Sequence, residues 1–79
     1  MNDNQRAKHF ASQLNKTLWE SDLKTADIIK KIGIAPETLY SWRRGKIIPR
    51  LSSLKKLAIV FNKSVSWFIG SWLFLIQLD

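Results

Sequence analysis

Between Arg43 and Lys56 the chain sets Arg43, Arg44, Lys46, Arg50, Lys55 and Lys56 with no acid among them. Guanidinium and ammonium groups clustered in this way favour a polyanionic partner, because each can neutralise a phosphate and release its counterions. The charge is uneven along the chain. Up to Glu37 six basic residues face five acidic ones, whereas from Thr38 onward seven basic residues face only Asp79, within a formal net charge of +7. Acid–base and metal chemistry has little to work with. There is no cysteine, and the single histidine, His9, has no carboxylate pair nearby to complete a metal site or a nucleophile relay. His9 reads as a surface residue. Asp22 and Asp27 stand at a helix start, where acids serve capping and the helix dipole. No glycine-rich phosphate loop occurs. Catalysis is therefore rejected, and neither a metal nor a cofactor is expected.

These cations need elements to hold them. With 79 residues, 46% hydrophobic and 24% charged, the chain has the make-up of one small globular domain. The lack of cysteine and the polar start Met1 to Arg6, without the apolar stretch of a signal peptide, point to the cytoplasm. The apolar spacing is helical throughout and implies an all-α fold. Ala7, Phe10, Ala11, Leu14 and Leu18 predict a first helix from about Asn4 to Trp19, with Lys8, Asn15 and Lys16 on its other face. A second runs from a cap at Thr25 to Lys31, and Gly33 makes the sharp turn after it. Pro36 opens a third, with Leu39 and Trp42 facing inward. The loop from Gly45 to Arg50 ends it. The fourth spans about Ser52 to Phe61 with Asn62 as its C-cap, and a fifth begins near Ser64 with Val65, Phe68 and Ile69 inward.

Beyond Gly70 the chain is strongly apolar. Trp72, Leu73, Phe74, Leu75, Ile76 and Leu78 are more than so small a domain can hide, and with Trp67 they read as a dimerisation surface. The stretch from Val65 to Leu78 is too short to span a bilayer and is interrupted by Ser66, Gly70, Ser71 and Gln77, so no membrane partner is expected. The domain division is accordingly 1–70 for the helical domain and 71–79 for the apolar segment.

The string from Asp22 to Pro49, DLKTADIIKKIGIAPETLYSWRRGKIIP, followed by LSSLKKLAIVFNKSVSWFIG, resembles the helix-turn-helix domain of phage repressors and related Cro/CI-type (XRE-like) regulators. The landmarks are Gly33 at the turn, core positions Ile28, Ile32, Ile34, Leu39 and Trp42, then Gly45-Lys46, Pro49, Leu57-Ala58 and the run from Val65 to Gly70. The resemblance implies a five-helix lambda-repressor-like domain whose second and third helices form the motif. Its partner would be double-stranded DNA, and its function sequence-specific repression, of phage or prophage origin, at a palindromic operator bound by a homodimer. An antitoxin that uses the same domain for autoregulation, with a protein partner on the apolar end, is the alternative.

Carried over by position, Pro36, Glu37, Tyr40 and Ser41 would face base edges, while Thr25, Arg43, Arg44, Lys46 and Arg50 would contact phosphates. The chain also departs from the pattern. Ile29 stands where a small alanine is usual, Ala35 replaces the usual hydroxyl cap of the third helix, and Thr25 replaces a glutamine. The family's pairing between a glutamate before the Gly-Lys turn and an arginine of the first helix is replaced by Arg43 and Leu18. This implies an Arg43 set free to face a phosphate.

Overall fold

The computed structural model describes residues 3–70 and builds them as five helices: α1 (Asp3–Glu20), α2 (Thr25–Ile32), α3 (Pro36–Arg43), α4 (Leu51–Phe61) and α5 (Val65–Ile69). The expected all-α architecture is present, with each boundary within a residue or two of the pattern. The apolar segment with Trp72, Leu73, Phe74, Leu75, Ile76 and Leu78 lies outside the described residues.

Local chemistry sets the helix ends. The first break is an Asx-like turn in which Ser21 Oγ accepts the Leu23 N–H at 3.0 Å. The cap of α2 corrects the expectation at Thr25, which is instead the first helical residue. Lys24 holds the extended cap position, and its N–H is taken by Asp27 Oδ2 at 3.2 Å. Asp27, at the third position of the helix, thus reaches back to hold the N–H of the cap residue itself. At the other end of α2, Gly33 sits at φ +77°, and Ile29 O accepts both its N–H (2.9 Å) and that of Ile34 (3.3 Å). That left-handed residue is what turns α2 into α3. Ala35 caps α3 without a side-chain hydrogen bond, and Pro36 at the first helical position removes one of the donors that a cap would have to satisfy.

The turn after α3 is tighter than its sequence suggests. Arg44 N–H donates to Tyr40 O and Lys46 N–H to Ser41 O, both at 3.0 Å, while Gly45 adopts φ +72°. Gly45 is buried, and a Cβ there would stand 3.3 Å from the Lys8 Cα of α1. The absence of a side chain lets α1 and this turn touch backbone to backbone. Further on, Asn62 closes α4 at φ 55°, and Ser64 caps α5 by accepting the Trp67 N–H at 3.1 Å.

The core gathers on α1. Phe10 is fully buried, edge-on to Trp42 (6.1 Å, 86°) and tilted against Phe68 (6.0 Å), which in turn meets Phe61. Leu14, Ile28, Leu39, Leu54, Leu57 and Ile69 complete the fully buried set. Ile29 packs partly buried against this core, so the bulkier residue at the α2–α3 crossing lies along its edge. α1 packs on α3 and α5, and α4 on α5 and α2.

Polar bonds lock α1 to α5. Thr17, only 4% exposed, donates its hydroxyl to Gln13 O at 2.7 Å and accepts the Trp67 indole N–H at 2.8 Å. Gln13 Nε2 in turn donates to Trp67 O at 2.8 Å. Lys63 and Lys16 flank the indole at 4.7 and 5.3 Å from its centroid. Trp67, expected among the dimerisation residues, is thus also bonded to α1 of its own chain. The surface reading of His9 is corrected. It is half-buried, with its Nε2 shielded from solvent, and Gly70 at the end of α5 lies over it.

Candidate nucleic-acid interface

A helix of eight residues can bury only one stripe, and α3 buries Leu39 and Trp42. Its other side is left outward. Pro36, Glu37 and Tyr40 are exposed and Ser41 half-buried, with Tyr40 at 48% the most open large apolar side chain on this helix. These are the positions expected to read bases, and they share one edge of the molecule.

Cations flank that edge. Arg44, Lys46 and Arg50 are exposed, and the backbone bonds of the α3 turn fix where the first two begin. Thr25 is half-buried at the first turn of α2. Lys8 of α1, exposed and in contact with Gly45, adds a cation beside the same turn. Lys56 on α4 does more than solvate its helix. Its ammonium reaches the Ile32 carbonyl at 3.4 Å, at the C-terminal end of α2 where a positive charge is favoured. Lys55 stays exposed.

Arg43 departs from expectation. It is half-buried, and its Nε donates to Asn15 Oδ1 of α1 at 2.8 Å, while Asn15 Nδ2 donates to the Arg43 carbonyl at 2.9 Å. The arginine is tied to the first helix after all, through an amide and not an ion pair. Leu18, expected at the vanished partner position, packs instead against the core. Asn15, Tyr40, Arg43 and Arg44 together line an open cleft of about 460 Å³ between α1 and α3. Sequence reasoning missed Asn15 as a site residue, since a bond across 28 positions depends on how α1 is rotated about its axis. The one available signal was its place on the polar face of α1.

Among the described residues no group of three or more His, Cys, Asp or Glu side chains is placed to hold a metal ion. Among the same residues no helix is long and apolar enough to cross a membrane.

A helix-turn-helix family model matches residues 23–68, from the start of α2 into α5. No curated protein matches the chain. Among solved structures the chain is similar to the solution structure of an SOS-response transcriptional repressor, LexA, from Eubacterium rectale. The two are 32% identical, with a TM-score of 0.78 over 84% of this chain and 70% of that one. A family model matching more than half of the chain and a solved relative at 32% identity show the family: the chain belongs to the helix-turn-helix family, as a Cro/CI-type (XRE-like) DNA-binding domain of a transcriptional regulator.

Proposed function

We propose that this protein is a sequence-specific transcriptional repressor that binds a palindromic operator as a homodimer. The observation that carries the reading is the outward edge of α3, where residues able to read bases stand between exposed cations. α3 enters the major groove, with Pro36, Glu37, Tyr40 and Ser41 against base edges. Glu37 accepts from a cytosine amino group, Ser41 bonds to several bases, and Tyr40 or Pro36 meets a thymine methyl. Thr25, Arg43, Arg44, Lys46 and Arg50 lie on phosphates and set the register. Repression follows from occupancy that keeps polymerase off the promoter. The Cro/CI likeness supports a phage or prophage setting, and the similarity to an SOS-response transcriptional repressor supports repression over activation.

Selection of bound duplexes from a randomised library tests this. Glu37→Ala and Ser41→Ala should each relax preference at one or two positions, at about 1 to 3 kcal/mol per position, with the fold kept. An unchanged consensus from both variants would move base reading elsewhere.

Pairing follows from the gain of two α3 helices about 34 Å apart on one face of DNA. The apolar residues Trp72, Leu73, Phe74, Leu75, Ile76 and Leu78 supply the surface for it. Sedimentation equilibrium of the full chain should give a dimer at tens of micromolar, converted to monomer by Phe74→Asp with Leu75→Asp. A wild-type monomer under those conditions overturns this part of the proposal.

A further inference from the structure

We infer that the cleft between α1 and α3 is a clamp for one phosphate of the DNA backbone, in which Asn15 is a positioning residue and Arg43, Arg44 and Tyr40 supply the donors. This deepens the reading above and rests on it.

Asn15 and Arg43 are joined by reciprocal bonds. Asn15 Oδ1 takes the Nε–H of Arg43 at 2.8 Å, and Asn15 Nδ2 returns a bond to the Arg43 carbonyl at 2.9 Å. The two bonds together fix which way the amide faces, since reversing it would set donor against donor and acceptor against acceptor. They also do two separate jobs. The carbonyl is one of the last of α3, left without an intrahelical partner, and the amide satisfies it. The Nε–H bond holds the guanidinium plane, so that the fork formed by its two terminal nitrogens is presented in a set direction. A planar fork is the geometry that grips a phosphate through two parallel bonds. An arginine already held at Nε has less freedom to lose when it does so.

The surroundings are built for an anion. Tyr40, Arg43 and Arg44 lie at i, i+3 and i+4 of one helix turn and so form one neighbourhood, with α1 and Asn15 as the opposite wall. Two guanidiniums, a phenol and an amide line the cleft, and no carboxylate does. Free phosphate would find the same donors. The duplex backbone is favoured because Tyr40 belongs at once to the cleft and to the outward face of α3, and because Arg44 leads straight into the exposed Lys46. The cleft thereby continues the groove-facing surface.

A double-mutant cycle tests the clamp. Binding of a labelled duplex selected by the wild-type protein is followed by fluorescence anisotropy for Asn15→Ala, Arg43→Ala and the double variant, over a range of salt. Circular dichroism confirms the fold of each. Arg43→Ala should lower affinity about tenfold and reduce the salt slope by about one unit. Asn15→Ala should lose nearly as much, and the double variant should bind like Arg43→Ala alone. Asn15→Asp keeps the acceptor for Nε but sets a carboxylate beside the guanidinium, and should cut the salt slope by about one unit. If the two single effects multiply in the double variant, Asn15 merely caps α3 and the inference is overturned. It is overturned equally if inorganic phosphate, at concentrations comparable to the duplex, saturates the cleft. The broader reading has its own failure: a wild-type chain that binds no duplex, whatever the cycle gives.

Discussion

Arg44→Ala combined with Lys46→Ala is expected to weaken DNA binding about 30-fold at 0.15 M salt and to flatten its salt dependence by about two units. Each cation that leaves a phosphate removes about 0.9 of a counterion from the release term, and at this salt each such term is worth roughly fivefold. Both side chains are exposed, and the turn they stand on is held by main-chain bonds from Arg44 to Tyr40 and from Lys46 to Ser41. Alanine keeps those bonds. The loss should therefore appear in specific and non-specific duplexes alike, with thermal stability unchanged within a degree or two. Anisotropy titrations between low and moderate salt read it directly. An unchanged slope would remove both residues from the phosphate-facing set.

The second large effect is on stability. Gly45→Ala should cost about 2 to 4 kcal/mol, and Gly33→Ala only about 1 to 2 kcal/mol, although both glycines sit at nearly the same positive φ. The difference is spatial. A Cβ at Gly33 meets nothing within 4 Å, so its cost is the left-handed backbone alone. At Gly45 the same strain is joined by a contact at 3.3 Å with Lys8 Cα, a main-chain atom that can yield only if α1 shifts. For a domain of this size, whose whole stability is of order 4 to 12 kcal/mol, the larger loss is a substantial fraction. It should be accompanied by weaker DNA binding, because Lys46 follows directly on the displaced turn. Urea denaturation of the two variants decides the matter. Equal losses would mean that α1 and the turn do not depend on their close approach.

These expectations show what kind of information the residues carried on their own. The helix pattern was legible because it is local: Ile28 and Ile32, Leu39 and Trp42, Leu54, Leu57 and Ala58 repeat at helical spacing, and all are buried. Gly33, Pro36, Asn62 and Ser64 marked ends for reasons of backbone geometry that need no tertiary context. Thr25 failed as a cap because two neighbouring residues competed for the role, and Asp27 tipped it by bonding the Lys24 N–H. The outward edge of α3 was legible as the complement of its buried face. Arg43 was not, since its bond to Asn15 depends on the relative rotation of two helices. The bonds of Trp67 to α1 were illegible for the same reason. An aromatic residue next to an apolar tail gives no sign that its indole N–H is taken by Thr17, fifty positions away.

That wiring bears on how the domain opens. α1 is bonded to α3 across 28 positions and to α5 across 50 and 54, so closing it brings together segments far apart in the chain. α2, α3 and α4 are joined by short turns and can find one another with little loop-closure entropy. In amide hydrogen exchange, the central turns of α1 should accordingly be among the slowest sites, released only when the whole domain unfolds. The first and last turns of α2 should exchange through smaller, local openings. α1, which walls the cleft beside α3, is in this sense also the clasp that sets the lifetime of the fold behind it.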